Sequence, residues 1–307
     1  MYDLIIIGGG PAAAAAAVYA LGKQLDFLVI YAELGKAGQT QQLAGKAEEE
    51  YLPGAEAVRL FELRVVSQAG RVLRDRVTEV AKESDRFRVV TQRHGVQESV
   101  TVIVATGATP IELAVPGAQE LLGYGLGYSI TTHAHIMAKK RVAVIGATVR
   151  ALRGAAELAR TAAQVYLIAP DAVGIETPLA RLRRHPHVEI LEGYEVQEVT
   201  GTQSIEQLVV ARNEQTRQLQ VDAVFVDLGL VPNSTFVRPL VQTDPDGFIW
   251  VDERNGTTLP GLFAAGDVTT AFGEQILIAL GDGARAALSA YDYLLWQLPV
   301  GETQPMD

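Results

Sequence analysis

The stretch from Leu4 to Ala13 reads LIIIGGGPAA, and it constrains this chain more than any other segment. A short β-branched run, Asp3 to Ile7, has the character of a buried strand. Three glycines follow, and Pro11 opens an alanine-rich segment through Leu21, with proline suited to a first helical turn. Phe27 to Tyr31 supplies the next apolar run. The order is strand, tight turn, helix, parallel strand, which is a dinucleotide-binding unit. In that unit Gly8 permits the turn and Gly10 admits a pyrophosphate close to the backbone. Pro11 and Ala12 begin the helix, Ala13 packs helix on strand, and the helix N-terminus offers N–H groups to the anion. The acid expected at the end of the second strand, for the adenosine ribose, is replaced by Tyr31. Glu33, two residues on, is the acid available to that role.

A second copy lies at Val142 to Ala151, VAVIGATVRA, but Thr148 stands where the second glycine belongs. Two such units fit a chain of 307 residues. A net charge of −10 argues against nucleic acid as a partner. With no cysteine, disulfides, thiolate metal sites and thiol catalysis are excluded. His133 and His135 form an H-x-H with no marked third ligand, so no metal is expected. No apolar run reaches membrane-spanning length and no cationic segment precedes the first strand, so a cytoplasmic protein is expected.

Further stretches join the first. Val102 to Pro110 reads VIVATGATP, and Leu259 to Val268 reads LPGLFAAGDV. Ala37 to Gln39 reads AGQ, Tyr51 to Gly54 YLPG, Gly229 to Asn233 GLVPN, and Glu274 to Ala287 EQILIALGDGARAA. In order and spacing these resemble the low-molecular-weight bacterial thioredoxin reductases over nearly the whole chain. The resemblance implies an α/β fold of two Rossmann-like domains. A discontinuous FAD domain covers about 1–113 and 243–307, and a central NADPH-type domain covers about 117–240. It implies a homodimer. It also implies FAD contacts from Gly8, Gly10, Gln39, the turn Ala105, Thr106 and Gly107, Gly266, Asp267, Gln275 and Ile276, with Asp267 accepting a ribityl hydroxyl.

Three departures from that family fall together. Thr148 crowds the pyrophosphate turn. After the strand Gln164 to Ala169 the family places arginines for the NADPH 2′-phosphate. This chain has IAPDAVGIE, in which Asp171 and Glu176 would repel a phosphate. Ordinary NADPH binding is therefore not expected. Ser129 and Thr132, within GYSITTHAH, stand where the family carries its redox-active C-x-x-C. Disulfide exchange needs a thiolate, so hydroxyls there cannot perform it. His133 follows, in place of an acid, and its near-neutral pKa suits it to proton exchange with a flavin or substrate.

The expectation is a flavin-dependent oxidoreductase that passes electrons between FAD and another carrier without its own disulfide. Diflavin-linked disulfide oxidoreductases, which are also thioredoxin-reductase-like, place a second FAD beside the first. Here Tyr128 would stack on such a ring, while Ser129, Thr131, Thr132 and His133 met its polar edge. A small molecule or a redox protein is the other kind of carrier. Two alternatives stay open: a non-catalytic flavin-binding redox sensor or interaction protein, and an atypical NAD(P)H-dependent flavoprotein reductase.

Overall fold

A computed structural model describes residues 1–33, 72–170 and 176–297. Gln39 and Asp171 lie outside these residues, as does the side chain of Glu176. The chain forms two compact units and passes from the first to the second after Thr109, returning after Leu230. Elements are numbered in chain order.

In the first unit, β1 (Tyr2–Ile7), α1 (Pro11–Gly22) and β2 (Phe27–Tyr31) form the unit read from the sequence. β3 (Val72–Arg74), β4 (Val77–Glu83), β5 (Arg86–Thr91), β6 (Gly95–Val104) and β17 (Leu262–Ala264) complete its sheet. The order is β3-β2-β1-β6-β5-β4, with β17 also paired to β6. The strands β3, β2, β1, β6 and β17 run parallel, whereas β4 and β5 are antiparallel additions. Ile30, Ile7, Val104 and Ala264 lie in one row across the sheet, so these four strands end side by side.

Helix α1 carries seven alanines in its 12 residues and is buried on several faces, at Ala12, Ala13, Ala14, Ala16, Ala17 and Ala20. A helix that is apolar all round belongs between two layers. The sheet lies on one side and α5 (Ile276–Gln297) on the other, contributing Ala279, Ala286, Ala287 and Ala290 to the shared core. A Cβ on Gly283 would run into the carbonyl oxygen of Ala12. The small residues therefore set how closely the two helices approach.

The second unit repeats the plan. β9 (Arg141–Ile145), α3 (Val149–Leu158) and β10 (Gln164–Ala169) correspond to β1, α1 and β2. With β8 (Leu126–Gly127), β11 (Val188–Glu192) and β15 (Ala223–Val226) they make a parallel sheet ordered β11-β10-β9-β15-β8. One face is covered by α3 and by the short helices α2 (Ile130–His133) and α4 (Glu176–Leu182), through Val142, Val144, Leu167 and Phe225. On the other face Ala143, Ile145, Val224 and Val226 meet residues of an antiparallel sheet, β12 (Glu195–Gly201), β13 (Ile205–Arg212) and β14 (Gln215–Gln220). The two crossing segments, β7 (Ala108–Pro110) and β16 (Leu230–Pro232), pair with each other.

Candidate functional site

The first site gathers at the carboxyl ends of β2, β1, β6 and β17. Gly8 adopts φ +142°, and a Cβ there would strike the carbonyl oxygen of Ala105. Only glycine meets both demands. Gly8 N–H donates to Ile30 O at 2.8 Å, and Ala105 N–H donates to Ile7 O at 2.8 Å. A Cβ on Gly9 would stand 2.6 Å from Glu33 O and 3.1 Å from the Tyr31 Cβ, so this turn is packed from below as well. Gly10 is the N-cap of α1, with extended backbone (φ −95°) and no side-chain cap. The first-turn N–H groups of α1 thus have no capping side chain, the arrangement that receives an anion.

The other flavin signatures converge on the same edge. Ala105, Thr106 and Gly107 follow β6, and Gly266 and Asp267 follow β17. The Thr106 hydroxyl donates to Asn233 O at 2.6 Å, Asn233 Nδ2 donates to Thr106 O at 3.1 Å, and Asn233 N–H to Gly107 O at 3.0 Å. The side chain of Thr106 is therefore committed to holding this turn. A Cβ on Gly266 would lie 3.1 Å from the Ala12 methyl and 3.4 Å from the Ala279 methyl, which places this glycine at the start of α1. Gln275 and Ile276 mark the entry to α5, with Ala279 N–H bonded to Gln275 O at 2.9 Å. Tyr31 is half-buried on the core of this unit, and Glu33 is exposed, 3.6 Å from Arg76. Pro11, Ala12 and Ala13 form the first turn of α1 as read from the sequence. These residues fit a dinucleotide: a cradle closed to side chains, uncapped helical donors, and carboxylates at its rim.

Asp282 is a residue of this edge that sequence reasoning missed. It is buried on α5, bonded to the Gly266 backbone and to Arg285 at 3.3 Å. Burial pushes its carboxyl above the usual range, against the pull of Arg285. An acid inside the GDGARAA helix was the available signal.

The second unit has the same turn with a different filling. Gly146 has φ +144°, and a Cβ there would strike the carbonyl oxygen of Asp227. Gly146 N–H donates to Ile168 O at 2.8 Å and Asp227 N–H to Ile145 O at 2.7 Å, matching the bonds of Gly8 and Ala105. Thr148 caps α3, its Oγ1 accepting from Ala151 N–H at 3.0 Å. The same hydroxyl donates to Asp227 Oδ1 at 3.2 Å. Arg150 grips the carboxylate with two bonds of 2.7 Å, from Nε and from a terminal nitrogen. The sequence showed Thr148 as a blemish in a motif; Arg150 and Asp227 went unnoticed.

Of the residues expected beside a second flavin, Tyr128 and His133 pack on opposite faces of the parallel sheet. Tyr128 packs on the core shared with the antiparallel sheet and hydrogen-bonds to the Leu113 backbone, and burial pushes its hydroxyl pKa up. His133 lies on the opposite face of the parallel sheet, 3% exposed, stacked on Phe225 at 6.3 Å between ring centroids. Its Nδ1 donates to Ser129 O at 2.9 Å. A ring so placed holds the start of α2 rather than standing open to a substrate. Ser129 and Thr132 are brought together, their hydroxyls 2.7 Å apart, with Thr131 exposed between them. Among the described residues no three His, Asp or Glu side chains gather to hold a metal.

A profile of the pyridine nucleotide-disulphide oxidoreductases matches residues 2–286. The chain belongs to this family. Its fold is of thioredoxin-reductase type, and the chain carries no cysteine. It is 31% identical over 299 residues to an NADH dehydrogenase of Bacillus subtilis (strain 168), covering 96% of this chain and 59% of that protein. It is 32% identical over 307 residues to the F component of the alkyl hydroperoxide reductase of Staphylococcus epidermidis, with the same coverages. The chain thus spans about three fifths of these curated relatives. Among solved structures, the thioredoxin reductase of Streptococcus pyogenes MGAS5005 superposes with a TM-score of 0.85 at 26% identity. That match covers 96% of this chain and 99% of that one. No helix among the described residues is long and apolar enough to cross a membrane.

Proposed function

We propose that this member of the family binds FAD in its first unit and passes electrons between that flavin and a separate carrier. In this reading it has neither a disulfide of its own nor a pyridine nucleotide in its central unit. The observation that carries the reading is the convergence of the three flavin signatures on one sheet edge, at Gly8, Ala105 and Gly266. When bound, FAD supplies the redox chemistry. The first turn of α1 and the Gly8–Gly10 backbone would hold the pyrophosphate, and Glu33 would serve the adenosine ribose. Asp267 would accept from the ribityl chain, Gln275 would contribute from the entry to α5, and Asn233 keeps the Thr106 turn in place. The protein is taken to be cytoplasmic and a homodimer, and light scattering of the purified protein tests the dimer.

Gly10→Val tests the flavin site. The extended backbone of Gly10 accepts any residue, and a valine side chain there would stand at the N-terminus of α1. The wild type is expected to release about one FAD per chain and the variant to be colourless. A variant that folds and stays fully yellow overturns the assignment.

A second reading rests on the Ser129–Thr132 pair, whose hydroxyls and the exposed Thr131 present a polar edge to a second flavin or another planar carrier. Two FAD released per chain after saturation with FAD would favour it.

A further inference from the structure

We propose that Asp227 and Arg150 set the ligand specificity of the central unit: their ion pair fills the place over α3 where a dinucleotide's pyrophosphate would lie, and excludes it. The inference deepens the nucleotide-independent reading above and rests on it. It comes from comparing the two halves of one chain.

The two turns are the same backbone object. Each has a glycine near φ +140° whose missing Cβ is replaced by the carbonyl oxygen at the end of a neighbouring strand. Each donates from that glycine to the strand on its other side. What differs is the side chains that point from this frame. Gly10, Ala12 and Ala105 in the first unit correspond to Thr148, Arg150 and Asp227 in the second. Nothing larger than a methyl stands on the first set. On the second, a carboxylate, a guanidinium and a hydroxyl are tied to one another by three hydrogen bonds.

This cluster opposes an anion there in three ways. The N–H of Ala151 is already satisfied by Thr148 Oγ1. Asp227, 4% exposed, supplies the negative charge at the helix N-terminus that a phosphate would otherwise bring. Arg150, the cation nearest to hand, has its planar fork matched in bidentate fashion to that carboxylate. A dinucleotide would have to displace an anion that is covalently part of the chain, and so present at a very high effective concentration.

The test copies one half onto the other. The FAD-loaded protein carrying Thr148→Gly, Arg150→Ala and Asp227→Ala is titrated with NADH and with NADPH by isothermal calorimetry, beside the wild type. With FAD loaded, the first unit is filled and any new binding belongs to the central unit. The wild type is expected to show no saturable binding up to about 1 mM, and the triple variant a Kd of about 0.1 mM or tighter, a gain of at least about tenfold. Asp227→Asn serves as a second variant. It keeps the shape and the bonds to Oδ1 but removes the negative charge and the bond from Arg150 Nε, leaving the guanidinium a net cation for a phosphate, and the same gain is expected. Saturable binding by the wild type below about 1 mM overturns the proposal, as does a failure of both variants to gain tenfold. The flavin content of each sample is measured alongside, so loss of the flavin reading shows as missing FAD and is distinguished from failure here.

Discussion

Truncating the two ends of the Arg150–Asp227 pair should have unequal consequences for stability. Arg150→Ala strips both 2.7 Å bonds from a carboxylate that is 4% exposed, leaving it the Thr148 hydroxyl at 3.2 Å. Removing one partner of a buried pair costs about 3–5 kcal/mol, and because the arginine is 26% exposed the screened figure is about 2–4 kcal/mol. Asp227→Ala leaves the charge on the side chain that already reaches water, and its aliphatic stem lets the head group turn outward. The expected loss is about 1–2 kcal/mol, with the Thr148 cap on Ala151 intact. The double variant leaves no stranded charge and should be more stable than Arg150→Ala alone, despite removing more atoms. Urea denaturation followed by far-UV circular dichroism reads these differences. Trp250 and Trp296 both belong to the flavin unit, so tryptophan fluorescence alone would miss them. Equal losses from the two single variants, or a double variant less stable than Arg150→Ala, would refute the reasoning.

Three further outcomes are expected. Ser129→Cys with Thr132→Cys should close a disulfide on oxidation, since the hydroxyls are already 2.7 Å apart and a loop this short is worth about 2 kcal/mol by chain entropy; thiol titration that still counts two free thiols in an oxidised, folded protein would contradict the geometry. Gly8→Ala should unfold or decolourise the flavin unit, because the methyl meets the Ala105 carbonyl in a backbone conformation alanine rarely adopts, and a melting curve with extracted FAD measures both. Burial alone would raise the pKa of Asp75, but bonds from His94 Nδ1 (2.7 Å) and from the Arg93 and Arg76 N–H groups hold it well below the usual carboxylate range. A depressed folded pKa stabilises above about pH 4 and that stability is lost as pH falls below it. Asp75→Asn should therefore lower the melting temperature at pH 7 and narrow the gap to wild type toward about pH 2, as melting curves across pH would record.

The turns and helices were legible because their signals are local. An apolar run, a glycine and a small-residue helix start within ten residues of one another at Leu4–Ala13 and again at Val142–Ala151. The spacing of Ser129 and Thr132 likewise survives as a contact, one helical turn apart. The surroundings of the Ser129–Thr132 pair were not legible. Tyr128 and His133 are five positions apart, yet the strand β8 directs one to the antiparallel sheet while the turn into α2 carries the other to Phe225. Arg150 and Asp227 are 77 residues apart and meet only because β15 lies beside β9. Thr148 was visible as a departure from a motif, but its bond to Asp227 depends on that pairing.

Anaerobic stopped-flow mixing of the purified flavoprotein with NADPH and with NADH tests the central claim most directly. The flavin is expected to stay oxidised with either nucleotide over seconds, while dithionite bleaches it fully. Bleaching by micromolar nucleotide at rates typical of enzyme turnover, roughly 1–1,000 per second, would contradict it.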